Sequence, residues 1–245
     1  MRCLLLIMLL VSALPAAAAD VLRVSWGTHN APPYAIVTGN ALTGGIIHDI
    51  GRLLGRKLGR PVAFVEVPRA RNEEQLRSRN IDVVCITNPA WMKNPGEFVW
   101  SPKLFSEAGA VIHAAGTTPW NGIADLAGKR IGTILGYRYP NVDELFADGR
   151  ASRDDAADLD SNMQRLAIGR VDAVIDSDLP VRWWLAQHDT GGHYPVARFV
   201  TSRHDVQCAV SRQTPGADRE IPDAFRSMLE DGSLQGVLAR YRIAE

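Results

Sequence analysis

The 245-residue chain carries 27 lysines and arginines against 27 aspartates and glutamates, a formal charge of zero. That balance excludes the basic patch that nucleic-acid binding demands and the polybasic face that docks on anionic membranes. With 46% hydrophobic residues the chain can still bury a sizeable core.

The opening segment reads as an export address. Met1-Arg2 is a short basic start, Cys3 to Leu14 an apolar run, and Ala17-Ala18-Ala19 before Asp20 fits a small-residue cleavage site. The run is shorter than the ~20 residues of a membrane-spanning helix. Cleavage after Ala19 and a soluble, monomeric protein in the periplasm are expected. Residues 20–245 suffice for one large domain or two smaller lobes.

Val21 to Trp26 alternates as a strand. Gly27 to Pro33 is a loop that sets Tyr34 on the stiff Pro32-Pro33 backbone. Thr38-Gly39-Asn40 is a turn. Ile46, Ile47, Ile50, Leu53, Leu54 and Leu58 line one face of a helix, stopped by Gly59 and Pro61. A strand over Val62 to Val67 leads to Pro68-Arg69-Ala70-Arg71 and a polar helix, Asn72 to Ser78. Arginine at such a junction suits bidentate contact with a carboxylate, and Arg71 is the candidate; a surface salt bridge is its competing role.

Ile81 to Phe105 is the most informative stretch. Its β-branched start, to Ile86, suits a buried strand. Thr87-Asn88-Pro89 ends that strand, because proline lacks a donor and pushes Asn88 into extended geometry. The loop beyond carries Trp91, Lys93 and Asn94, and the chain returns through Phe98, Val99 and Trp100. Ligands of open α/β sheets lie beyond the carboxyl ends of strands, so Asn88 and Trp91 are candidates for a binding wall. Arg79-Asn80-Ile81-Asp82-Val83-Val84 is echoed by Gly169-Arg170-Val171-Asp172-Ala173-Val174, each closing a helix and opening a strand. The second copy runs on into Asp176-Ser177-Asp178-Leu179-Pro180. The echo reads as two similar lobes around one cleft, against the plain recurrence of a helix–turn–strand unit.

Gly109 to Ala114 is a further strand, and the turn-rich Gly116 to Gly122 marks a first crossing between lobes. Asp125 to Arg130 closes a short helix before a strand from Ile131 to Leu135. Gly136-Tyr137-Arg138-Tyr139-Pro140 follows, where the N–H groups of the next helix could hold an anion beside Tyr137 or Arg138. Asp154, Asp155, Asp158 and Asp160 read as a solvated approach to a helix at Ser161, since hard-cation loops usually include a glycine. A helix over Val181 to Gln187, the return crossing after Gly191-Gly192, a strand over Asp205 to Val210 and two helices, Ile221 to Leu229 and Leu234 to Tyr241, complete the chain.

Cys85 and Cys208 both fall in strands; in an exported protein they are a disulfide candidate, with two separate buried thiols as the alternative. There is no G-x-S-x-G, P-loop, H-E-x-x-H, C-x-x-C or G-x-G-x-x-G motif, and the six histidines lack metal-ligand spacing. His48-Asp49 reads as structural, because adjacent helix residues do not face each other. No metal, cofactor or catalysis is expected.

Pro32-Pro33-Tyr34, Leu42-Thr43-Gly44-Gly45 before the Asp49 helix, Ile81-Asp82-Val83, Trp100-Ser101-Pro102, Asp125-Leu126-Ala127-Gly128-Lys129-Arg130-Ile131-Gly132 and Gly169-Arg170-Val171-Asp172-Ala173 occur in that order. Together they resemble the family 3 extracellular solute-binding proteins, best known as periplasmic amino-acid receptors of ABC importers. The resemblance implies an α/β protein of the two-lobed periplasmic-binding type. Its lobes would be 20–112 with 205–245, and 113–204, joined by two hinge crossings and closing on a small polar solute. It also implies an ABC permease as partner. The arginine that usually holds an α-carboxylate falls at Asn94, and the usual acidic partner of the α-ammonium at Ser177. Lys93 or Arg71, and Asp176 or Asp178, are the neighbouring substitutes.

The expected ligand-binding set is therefore Tyr34, Arg71, Asn88, Trp91, Tyr137, Arg138 and Asp178. Two rivals share the scaffold. One is an enzyme resembling the periplasmic cyclohexadienyl dehydratases, with Asp176 or Asp178 as acid; the other is a ligand sensor for a membrane protein.

Overall fold

A computed structural model describes residues 20–116, 120–189 and 191–241, so the expected export segment lies outside the described residues. β1 (Leu22–Trp26), the hairpin of β2 (Ile36–Thr38) and β3 (Ala41–Gly44), and α1 (Ile46–Leu58) open the chain. β4 (Val62–Glu66), a 3-10 turn (Arg69–Arg71), α2 (Asn72–Arg77), β5 (Val83–Thr87) and β6 (Phe98–Trp100) follow. β7 (Phe105–His113) leads into β8 (Arg130–Ile134), α3 (Asp143–Ala147), β9 (Ser152–Ala156), α4 (Leu159–Ala167), β10 (Ala173–Ser177) and α5 (Asp178–His188). β11 (Arg203–Ser211) returns the chain, and α6 (Glu220–Glu230) and α7 (Ser233–Ala239) close it.

The strands form two lobes of one plan. In the first the order is β4-β1-β5-β11, with β1 parallel to both neighbours and β11 antiparallel. In the second it is β9-β8-β10-β7, with β8 parallel to both neighbours and β7 antiparallel. The apolar stripe of α1 packs with α6 and α7 on one face of the first sheet, around Ile46, Ile50, Phe225 and Met228. Leu76 of α2 meets Ile81, Val84, Phe98 and Ala209 on the other. The second sheet is covered likewise, by a cluster around Leu126 and Tyr139 and another around Met163 and Leu166.

The repeated phrase has a physical basis. Asp82 is wholly buried and accepts the Arg23 backbone N–H at 2.8 Å and the Arg23 guanidinium at 2.8 and 3.1 Å. Its own N–H donates to the Arg23 carbonyl at 2.8 Å. Asp172 repeats the arrangement on Arg130, accepting its backbone N–H at 2.7 Å and donating to its carbonyl at 2.8 Å. Three residues before each aspartate the backbone is left-handed, at Arg79 (φ 53°) and Gly169 (φ 69°), which stops the preceding helix. Each aspartate thus pins an incoming strand to the first strand of its lobe, with Val24 beside Val83 and Ile131 beside Ala173.

The two lobes are joined by β7 and β11, each nine residues long. The first half of each pairs with the other, Phe105–Ala108 against Arg203–Val206. From Gly109 onward β7 pairs with β10, and from Gln207 onward β11 pairs with β5 and β6. Gly109 is needed at this switch, because a Cβ there would sit 2.2 Å from Thr201 Oγ1.

Several local expectations change. The acidic run at 154 and 155 is strand β9, not a solvated approach: Asp154 pairs with Arg165 and Arg170, and Asp155 with Arg153. Asp158 caps α4 through the Ser161 N–H, and no metal-binding cluster occurs among the described residues. His48 and Asp49 do meet, at 2.9 Å, but Asp49 serves Tyr241 and Arg240 of the C-terminal segment. The N–H groups ahead of α3 offer no anion site, since Tyr139 N–H donates to Asp143 of that five-residue helix. Cys85 and Cys208 are joined by a disulfide between β5 and β11.

Removing a buried, fully bonded carboxylate leaves its donors without partners. Asp82→Ala should lose about 3–5 kcal/mol in urea unfolding at neutral pH. Asp172→Ala, with a side chain 38% exposed, should lose about 1 kcal/mol. Equal losses would contradict the different roles that burial gives the two copies.

Candidate functional site

The cleft lies between the lobes at the carboxyl ends of β1, β5, β8 and β10. Local backbone chemistry brings each lining residue to it. Gly45 (φ 95°) lets the Tyr34 carbonyl come where a Cβ would clash at 2.7 Å. The Pro33 and Tyr34 carbonyls then accept the Ile46 and Ile47 N–H groups at 2.9 Å, satisfying the start of α1. That holds the buried Tyr34 side chain against Glu107, to which its hydroxyl donates.

On β5, Val84 and Thr87 pair with Ala209 and Gln207, so three steps oppose two and the strand bulges over Cys85 and Ile86. Ile86 takes φ 53°, a left-handed backbone that a β-branched residue adopts at a cost of order 1–3 kcal/mol. Both bulge residues line the cleft. Beyond β5, Asn88 Oδ1 accepts the Ala90 N–H at 2.8 Å and caps the turn that carries Trp91. Trp91 meets His204 edge-on, with ring centroids 5.2 Å apart.

The charges of the cleft are unevenly paired. Arg69, in the 3-10 turn, has no carboxylate within salt-bridge reach among the described residues. Its guanidinium lies 5.9 Å from the centre of the Tyr137 ring, across the lobes, and donates weakly to the Trp91 carbonyl at 3.4 Å. Burial lowers its pKa, but guanidinium remains a cation. Burial, then the nearby Arg69 charge, pushes His29 down to about 3, so its imidazole is neutral.

Two carboxyls face the same space. Glu107, on β7, accepts the Tyr34 hydroxyl on one oxygen and the Ser177 hydroxyl at 3.0 Å on the other. Burial pushes it up to about 7 despite those bonds, with the Asp178 charge adding to the shift. Asp176, at the end of β10, accepts the Ser177 N–H at 2.7 Å and is pushed up to about 7 by burial and by Glu107. The hydroxyl of Tyr137 donates to the His29 carbonyl at 3.1 Å, a direct bond between lobes. Asn72, 2% exposed, also lines the cleft, and its Oδ1 has no hydrogen-bond partner. The chemistry is therefore amphoteric: a cation and an unsatisfied acceptor from the first lobe, two carboxyls and the exposed Arg138 from the hinge and second lobe, and aromatic walls.

Of the expected set, Tyr34, Trp91, Tyr137 and Arg138 line the cleft and Arg71, Asn88 and Asp178 do not. Arg71 is exposed, and Arg69 of the same turn lines the cleft in its place. The amide of Asn88 is taken up by the cap and by the Asp205 carbonyl at 2.6 Å. Asp178 accepts the Ala108 N–H at 3.2 Å, tying α5 to β7, and lies 3.6 Å from Arg182. Arg69, Asn72, Glu107 and Asp176 enter the lining instead. The signal for Arg69 was the same Pro-Arg-Ala-Arg junction, and for Asp176 the alternation along its strand. Glu107 had none, because a lone carboxylate in an apolar run gives no hint of burial.

No family model matches the chain, and no curated protein does. Solved structures do. An ancestral arginine-binding protein bound to arginine superposes with a TM-score of 0.79 at 22% identity, covering 92% of this chain and 99% of its own. The substrate-binding protein of an amino acid ABC transporter gives 0.73 at 16%, covering 91% and 99%. The GluR0 ligand-binding core from Nostoc punctiforme in complex with L-glutamate gives 0.72 at 17%, covering 90% and 98%. The chain therefore has the two-lobed periplasmic-binding-protein fold, and the fold leaves the ligand to the site.

Both buried carboxyls ionise above the ordinary 4.5 and 3.8. Between about pH 4 and about pH 7 the folded state therefore binds more protons than the unfolded chain, and these two groups remove stability as pH rises. Relative to the parent, the melting temperature of the Glu107→Gln/Asp176→Asn variant should climb across that window and level off above it. A constant difference between the two proteins would show that the carboxyls titrate normally.

Proposed function

We propose that this protein is an exported solute-binding protein that captures a small polar, amino-acid-like solute by closing its two lobes, and delivers it to an ABC permease from the periplasm. The observation that carries the reading is the cleft itself: Arg69 without a carboxylate partner on one side, Glu107 and Asp176 as under-compensated carboxyls on the other. A zwitterion supplies both missing partners at once. Its carboxylate would sit at Arg69 and its ammonium at Asp176 and Glu107, where aromatic walls raise the strength of each charge pair by excluding water. The arginine-, glutamine- and glutamate-bound neighbours of the same fold support an amino-acid-like ligand. Because the pocket draws on both lobes, ligand favours the closed arrangement in proportion to its extra contacts there. We divide the lobes at the partner switches of β7 and β11, and take the protein to act as a monomer. No helix among the described residues is long and apolar enough to cross a membrane.

One observation favours a second reading. Carboxyls held near neutrality suit general-acid chemistry, so Glu107 or Asp176 could protonate a leaving hydroxyl, as a cyclohexadienyl dehydratase requires. Incubation with prephenate or arogenate separates the readings, since an aromatic product would appear only in the second.

A thermal-shift screen of amino acids, polyamines, organic acids and small anions tests the first. A cognate ligand at 100 times its Kd adds ~2.7 kcal/mol to stability. Arg69→Met should weaken that ligand by about thirtyfold or more, the loss typical of a buried charge partner. A screen without a stabilising solute, or an Arg69→Met protein that binds as well as the parent, would sink the proposal.

A further inference from the structure

Beside the cleft lies a second, more open chamber, also bounded by both lobes. Trp26 and Glu66, paired at the ends of β1 and β4, form one side. Asp158, Asp160, Trp183 and Trp184, from the start of α4 and from α5, form the other.

Three features separate its chemistry from that of the cleft. It takes three of the six tryptophans of the chain. Trp184 is held in place there, its Nε1–H donating to Asp160 at 2.7 Å and its ring stacked on His188 at 4.7 Å. Its charged lining is Glu66, Asp158 and Asp160, with no lysine or arginine, whereas Arg69 and Arg138 line the cleft. The Glu66 carboxylate makes no hydrogen bond or ion pair among the described residues. Finally, Asn30 lines both spaces and is only 7% exposed. Its Oδ1 accepts the Gly27 N–H at 3.1 Å, while its Nδ2 group has no partner among the described residues. That amide donor is open to an acceptor where the two spaces adjoin.

Indole rings and carboxylates around one cavity are the chemistry that recognises an organic cation. We propose that the second chamber binds an alkylammonium or guanidinium group and extends the cleft past Asn30. The solute is then an elongated one, with an anionic head at Arg69 and a cationic far end. This assignment rests on reading the cleft as a solute site, but the chamber can be probed without that head group.

The probe is agmatine, a guanidinium and an ammonium on one chain with no carboxylate, titrated into the mature protein and followed by tryptophan fluorescence. The expected result is a saturable change at millimolar concentration or below, weakened about tenfold, ~1.4 kcal/mol, in Glu66→Gln/Asp160→Asn and in Trp183→Ala. Melting temperatures of the variants establish that they are folded, and glutarate, an anionic control, should leave the change unaltered. The absence of a saturable change overturns the inference. So does a response weakened by Asp176→Asn but untouched by the chamber variants, which would put agmatine in the cleft. If agmatine fails while an amino acid still raises the melting temperature, the chamber assignment falls and the solute-binding reading stands. If agmatine binds as described and every head-group-bearing solute fails, the reverse holds.

Discussion

The continuity of two strands through both lobes is the constraint on which the molecule depends. Every backbone N–H and C=O of β7 and β11 needs a partner along its buried length. The sequence meets that need by changing partners midway, each strand first pairing with the other and then with its own lobe. The first lobe cannot be assembled without the return of β11 from late in the chain, whereas the strands of the second, β7 to β10, follow one another in sequence. The partners change at Ala108–Gly109 and at Val206–Gln207. Glu107 stands one residue before the first switch, and Ser177, its hydrogen-bond partner, pairs with Gly109 just after it. The partner switch and the chemical centre of the cleft thus share the same few residues.

The electrostatics follow from what packing removes. Most charged side chains of this protein find a partner within 4 Å, including the arginines and aspartates along β8, β9 and α4. In the cleft, buried charges lack one. Arg69 is desolvated without an anion, and Glu107 and Asp176 are desolvated with hydroxyl and N–H donors in place of a cation. Burying unbalanced charge destabilises a fold unless a binding partner restores the balance. A site whose two halves are deficient in opposite senses is complementary to a molecule that carries both signs.

How far the sequence could be read depended on how local each determinant was. The six apolar residues of α1 lie at helical spacing, and the helix runs from Ile46 to Leu58 as expected. β9 was missed because Ser-Arg-Asp-Asp-Ala lacks an apolar face; it is an edge strand whose polar side chains are ion-paired. The N-terminal half of β7 was missed because Ser106 and Glu107 interrupt its alternation. Arg69 and Arg71 are two residues apart in one turn, and no pattern tells which enters the cleft. Asn88 looked like a ligand contact because it follows a strand, yet a cap and a carbonyl absorb its amide. Asp178 looked more available than Asp176, but the first residue of α5 is turned to the Ala108 N–H, while the penultimate residue of β10 points between the lobes.

By itself the amino-acid order determined most of the elements and their succession and pointed to the twofold plan, because periodicity, glycine and proline stops and the aspartate that closes each helix–strand unit act within a few residues. It also put both cysteines on strands. Only the tertiary structure decided that those strands are neighbours and which arginine and which carboxyls meet in the cleft. Desolvation is the reason: it belongs to the surroundings a side chain is folded into, and those are assembled from segments as far apart as the 108 residues between His29 and Tyr137 and the 123 between Cys85 and Cys208.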